Sequence, residues 1–265
     1  MIDSHCHLDF PIFLSRVDDL LVEMRQKGVM GFIIPSVKAE DWDALLAFAD
    51  NKYPCGIALG FHPGFMSWHK ESQFGLLQSR LSHPAVVAMG EMGLDRKHKQ
   101  DDLSDQLRLL TAQLNLAKQV QLPVILHARQ SFEELYQQVK SLNFDCGGII
   151  HAFTGSEQQA KNWLALGFKL GIGGAVTHPR AKKLRKTVAA LPKGAIVLET
   201  DSPDMLPAFI ARGNANTPLN LPLIAAVVGA LRKETWWEVA KQSDRALLQA
   251  LPRYRERFKL SHRDS

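Results

Sequence analysis

Cysteine is scarce in this chain: Cys6, Cys55 and Cys146 are the three among 265 residues. An odd and widely spaced set excludes a disulfide framework and points to a reducing compartment, so a cytoplasmic protein is expected. Long apolar runs are missing too, none reaching the roughly eighteen residues that a bilayer span needs, and no membrane association is expected. The opening MIDSHCHLDF places acidic residues and histidines where a secretory signal carries a basic and then an apolar stretch, so export is not expected. Charge of one sign does not dominate: 32 basic against 27 acidic residues leave +5, compatible with a polyanionic partner without demanding one. Hydrophobic residues at 46% against 22% charged exclude disordered and fibrous classes. No linker, repeat or biased segment divides the chain, so residues 1–265 are expected to form a single domain.

What the chain does have is a series of short apolar runs. They fall at Met1 to Ser4, Gly31 to Pro35, Gly56 to Gly60, Val86 to Gly90, Val124 to Leu126, Gly148 to Ile150, Phe168 to Ile172 and Ala195 to Leu198. They are strand length and too continuous for half-exposed antiparallel strands, which is the pattern of a parallel sheet buried on both faces. Helical periodicity fills the intervals. From Asp102 to Val120, Leu103, Leu107, Leu110, Leu114 and Ala117 share one face, and a second helix spans Ser131 to Leu142. Capping boxes are expected at Ser131 with Glu134 and at Ser156 with Gln159. Eight strand-then-helix units in this length describe an α/β fold of the TIM (β/α)8 barrel type.

Six of the eight runs end in metal-ligand chemistry. His5 and His7 follow the first, His62 the third, Glu91 the fourth, His127 the fifth, His151 the sixth, and Glu199 with Asp201 the eighth. All strands of such a barrel point one way, so residues distant in sequence meet at the C-terminal mouth, where this fold keeps its active site. Side-chain alternation sends His5 and His7 to one side and Cys6 to the other. Imidazoles and carboxylates rarely crowd one mouth without a compensating ion. Four histidines and two carboxylates exceed the needs of one tetrahedral ion and suit two divalent ions, of zinc, manganese or magnesium, sharing a carboxylate.

The motifs DSHCHL (3–8), GFHP (60–63), GEMGLD (90–95), LPVILHAR (122–129), HAFTG (151–155) and ETDSP (199–203) stand in order along the chain. By these the sequence resembles the TatD-type metal-dependent hydrolases. The resemblance implies a metal-dependent hydrolase, described in the family as a DNase or exonuclease, with metal ligands at His5, His7, Glu91, His127, His151 and Asp201 and Glu91 as the bridge. Family members often carry a second histidine or a polar residue after the HP of the second motif, where this chain has Gly64 and Phe65.

The remaining polar residues complete the expected site. Asp201, Glu91 and His62 are the candidate catalytic groups. Arg129, two residues beyond His127, is placed to hold a phosphate by a bidentate contact, and His62, on a loop fixed by Pro63, to contact substrate or protonate a leaving group. Asp95 and Glu199 are expected to orient ligands rather than bind metal. The basic run Arg180, Lys182, Lys183, Arg185 and Lys186 reads as a cationic rim or as a solvated helix face. Arg253, Arg255, Arg257 and Lys259 read as a solubilising tail, Trp236 and Trp237 as helix packing, and His69, His83, His98, His178 and His262 as surface residues. The expected activity is a two-metal phosphodiesterase acting on nucleic acid; the alternative is an amidohydrolase-like hydrolase of a small amide, ester or lactone.

Overall fold

The computed structural model describes residues 1–51, 53–97 and 102–259. Eight parallel strands pair in chain order: β1 (Ile2–Asp3), β2 (Gly31–Pro35), β3 (Cys55–Leu59), β4 (Val86–Asp95), β5 (Val124–Arg129), β6 (Gly148–Ile150), β7 (Phe168–Ile172) and β8 (Ile196–Leu198). The Ser4 N–H donates to the Leu198 carbonyl at 2.9 Å, which draws β1 against β8 and brings the barrel nearly to closure.

Helices cover the outside. α1 (Pro11–Leu14) and α2 (Val17–Gln26) follow β1, and α3 (Trp42–Asp50), α4 (Gln73–Arg80), α5 (Leu103–Gln119), α6 (Phe132–Ser141), α7 (Glu157–Ala165) and α8 (Lys182–Ala190) follow the next six strands. After β8 come α9 (Leu221–Arg232), α10 (Trp236–Ala250) and α11 (Pro252–Arg257). The continuous apolar runs are explained by two separate cores. One lies between sheet and helices, and the other fills the barrel with Ile2, Ile33, Ala58, Val87, Ile125, Ile149 and Val197. Leu247 of α10, Tyr254 of α11 and Leu251 between the two helices complete the inner core at the strand N-termini. The Tyr254 hydroxyl donates to the Pro54 carbonyl at 3.1 Å, and it passes so close to Gly31 that any Cβ there would collide with it.

Several local expectations are corrected. β4 and β5 run on to Asp95 and Arg129, beyond their apolar segments. Ser156 and Gln159 do form a capping box, but Ser131 does not, because its hydroxyl donates to the Leu94 carbonyl at 2.7 Å and Glu134 pairs with Arg96 instead. Trp236 and Trp237 do not pack inward; they are 47% and 53% exposed. Arg253 and Arg257 belong to α11 and donate to the Leu81 and Ala49 carbonyls, so they hold the terminal helix rather than serve as a loose tail. His69, His83 and His178 are half-buried with polar partners rather than free on the surface. His98 and His262 lie outside the described residues.

Candidate metal centre

The C-terminal strand ends supply the groups at the mouth. His5 and His7 leave β1 toward the Asp201 carboxylate, their Nε2 atoms 3.6 and 3.9 Å from its Oδ1, while Cys6 between them is fully buried in the outer core. Asp201 sits in the left-handed region at φ 55, a conformation that a short polar side chain tolerates, and its N–H donates to the His5 carbonyl at 2.8 Å. The turn therefore ties the end of β8 to the end of β1.

Glu91 arrives by a different device. Between Met89 and Met92, β4 carries two residues where β5 carries the single Ile125, a bulge that re-aims the side chain. Gly90 makes the bulge possible: it sits at φ 145, and a Cβ there would fall 2.6 Å from the Ile125 carbonyl oxygen. The Glu91 carboxylate is consequently buried at the centre of the mouth with its two oxygens facing different groups. Oε2 is 3.2 Å from His5 Nε2, whereas Oε1 is 2.7 Å from His127 Nδ1, 3.4 Å from His62 Nε2 and 4.0 Å from His151 Nε2.

Carboxylates behind the ring fix two of these imidazoles. His127 Nε2 is 3.2 Å from Asp95 Oδ2, and His151 Nδ1 is 3.2 Å from Glu199 Oε1, which also accepts the Ala152 N–H at 2.7 Å. Each histidine thus keeps one nitrogen for the mouth and gives the other to a supporting carboxylate, the usual arrangement around ligating imidazoles. His62 differs. Its Nδ1 accepts the Gly64 N–H at 2.9 Å, capping the short turn Pro63–Trp68, so the proton of the neutral ring sits on Nε2, the atom that faces Glu91.

Burial and mutual contact set the charges. Burial pushes the His5 imidazole well below its ordinary pKa, with His151 adding to the effect, and pushes His7 down to about 4. Against burial, Glu199, Asp201 and Glu91 lift His151 to about 10, and Asp95 and Glu91 lift His127 to about 8. Glu91 is buried yet stays well below the ordinary carboxylate range because His5, His62 and His151 surround it. Burial raises Asp201 to about 7 against the pull of His151.

This donor set fits a divalent cation. Neither ring nitrogen of His5 has a hydrogen-bond partner, nor does His7 Nδ1, although both rings are buried. A neutral imidazole buried without a well-formed hydrogen bond is costly unless its lone pair meets an electron-pair acceptor. Three groups can each offer converging ligand atoms: His5, His7 and Asp201; His62, Glu91 and His127; and His5, His151 and Glu199. Above them opens a cleft of about 710 Å³, with Phe10, Val37, Phe65 and Met205 among its apolar lining and Arg129 and Thr154 among its polar lining.

Several known proteins are similar to this chain. The family profile described as TatD related DNase matches residues 2–251. The chain belongs to the TatD-related DNase family. It is 41% identical over 242 residues to the uncharacterized metal-dependent hydrolase YjjV of Escherichia coli K12, covering 91% of this chain and 93% of that one. The crystal structure of YjjV, a TatD homologue, superposes with a TM-score of 0.91 at 39% identity over 95% of this chain and 98% of the other. A 3′-5′ ssDNA/RNA exonuclease TatD of Cronobacter sakazakii is 31% identical over 238 residues, 87% of this chain and 90% of that protein.

The six positions at which resemblance to TatD proteins implies ligands all meet at the mouth, with His62 among them and Arg129 on the cleft wall. None of the five residues of the basic run borders the cleft, and Arg185 donates to the Val176 carbonyl at 2.8 Å. Sequence reasoning missed the supports from α5. Gln113 brackets Phe61, accepting its N–H at 2.8 Å and donating to its carbonyl at 3.2 Å, one residue before His62. Gln106 brackets Asp95 in the same way, at 2.8 and 3.0 Å. Their spacing of seven, in step with Leu110 and Ala117 on the buried face, was the available signal. His69, whose Nε2 lies 2.8 Å from the His62 carbonyl, gave no signal in its spacing.

Proposed function

We propose that the chain is a divalent-metal-dependent nuclease that hydrolyses phosphodiester bonds of single-stranded nucleic acid, working as one domain in the reducing cytoplasm that its three free cysteines suit. The observation that carries this reading is Glu91, whose two oxygens face different sets of histidines beneath a cleft with an arginine on its wall. His5, His7 and Asp201 would hold one ion and His127 and His151 a second, with Glu91 between them; zinc, manganese and magnesium are the candidates. Ions bound there supply charge that lowers the pKa of an attacking water and stabilises the phosphate oxygens.

The protein's own groups do the rest. Asp201, on the cleft lining, accepts the proton of the attacking water. Arg129 holds a non-bridging phosphate oxygen through its guanidinium. His62, its proton fixed on Nε2 by the Gly64 contact, donates a hydrogen bond to the phosphate or to the departing oxygen. Asp95 and Glu199 keep His127 and His151 in register throughout.

The test is a substrate panel on metal-stripped protein with each divalent ion restored in turn. End-labelled single-stranded DNA and RNA should shorten only when metal is present. Turnover of amides, esters or lactones with intact oligonucleotides would overturn the nuclease reading in favour of carbonyl hydrolysis on the same centre.

A further inference from the structure

We propose that Phe65, backed by Trp68, is a stacking shelf for the nucleobase beside the phosphate that is cleaved; this rests on the nuclease reading. The turn Pro63–Trp68 begins at His62, and Phe65 breaks its helical course at φ −128 and ψ 34, so that the side chain lines the cleft. The Phe65 ring meets His62 edge-on, 5.5 Å between centroids at 63°, and meets Trp68 at 5.1 Å and 39°. Phe65 is only partly buried and borders the cleft, so part of its ring is open to a planar group. The other aromatic of the cleft, Phe10, is already stacked on His7 at 4.7 Å and 28°.

Trp68 keeps 45% of its surface exposed at the rim, and Lys38 Nζ sits 4.4 Å from its ring centroid while pairing with Asp41 at 3.6 Å. Lys38, Trp68 and Phe65 therefore form a chain of contacts running inward from the rim, each ring steadied by the group outside it. Its inner end touches His62, whose Nε2 is 3.4 Å from Glu91. A nucleotide whose phosphate rests on Arg129 and the Glu91 centre has its base as the planar, apolar-faced part in need of such a surface. Base stacking on an aromatic ring tolerates any sequence, because every base has a π-face.

The experiment compares two single-stranded oligonucleotides that differ only in a base or an abasic sugar next to the scissile bond. Metal-loaded wild type, Phe65→Ala, Phe65→Leu and Phe65→Tyr are assayed with both, and thermal midpoints report folding. Wild type should favour the base-bearing substrate by about 5- to 150-fold in kcat/KM, the range that loss of one stacked base produces. Phe65→Ala and Phe65→Leu should bring the two substrates toward parity, and Phe65→Tyr should keep the preference. A phosphorothioate oligonucleotide that resists cleavage gives a second reading: it should quench tryptophan fluorescence in wild type and quench it less in Trp68→Phe. Equal cleavage of both substrates by wild type, or a preference kept by Phe65→Leu, would overturn the shelf alone. Failure of wild type to cleave either oligonucleotide would overturn the nuclease reading and the shelf with it.

Discussion

At the scale of single residues, Glu91 and Arg129 differ in how many partners depend on them. Glu91→Gln removes a charge that faces His5, His62, His127 and His151, so the variant should lose bound metal as well as turnover. Arg129→Ala would remove the proposed phosphate contact, worth about 1.5 to 3 kcal/mol for a charge-assisted bond, and should cost roughly 10- to 150-fold in rate with metal content unchanged. Elemental analysis beside steady-state kinetics checks both, and comparable activities at saturating metal would count against the bridging role. Asp95→Asn should weaken metal affinity or turnover by about 10- to 100-fold, because His127 loses the carboxylate that fixes its ring. The six proposed ligand positions were legible in the sequence because each couples a metal-binding residue type to the end of an apolar run, although β4 and β5 continue past Glu91 and His127. His62 was only half legible: its capping and cleft-facing roles use different nitrogens, and no spacing distinguishes them.

Elements carry the supports that single positions do not announce. The strands were readable because burial on both faces leaves continuous apolar runs, but the end of β4 was not, since a bulge and a buried glutamate interrupt the pattern at Gly90 and Glu91. The helix cap expected at Ser131 failed because a hydroxyl follows whichever acceptor the tertiary structure offers, here Leu94. α5 is the element to perturb. Gln113→Leu leaves the buried N–H and carbonyl of Phe61 without partners and should cost about 2 to 4 kcal/mol, read as a lower urea midpoint at unchanged slope. Asp102 caps the same helix, and the Ser104 N–H it accepts holds its carboxyl below the ordinary 3.8. A depressed folded-state pKa means stability that is full above the unfolded value and lost as pH falls through the folded one. Asp102→Ala should therefore lower the thermal midpoint at neutral pH, and the gap from wild type should narrow as pH falls below about 4.

For the whole molecule, folding and metal binding separate. Two apolar cores hold the barrel without help from the mouth, so chelation should abolish hydrolysis while far-ultraviolet circular dichroism stays unchanged. Restored metal should raise the unfolding free energy by an amount that grows with its concentration, about 2.7 kcal/mol at a hundred times the dissociation constant. The packed interior also governs traffic. With Tyr254, Leu251 and Leu247 packed at the end opposite the mouth, the described residues leave no passage along the barrel axis, and on the nuclease reading a nucleic-acid strand would meet a dead end rather than a pore. On that reading a strand that enters the mouth would leave by the same door, so a severed nucleotide and the next length of strand would compete for one threshold. Nucleoside monophosphates should accordingly act as competitive inhibitors, and the enzyme should let go of its strand between cuts instead of reeling it through.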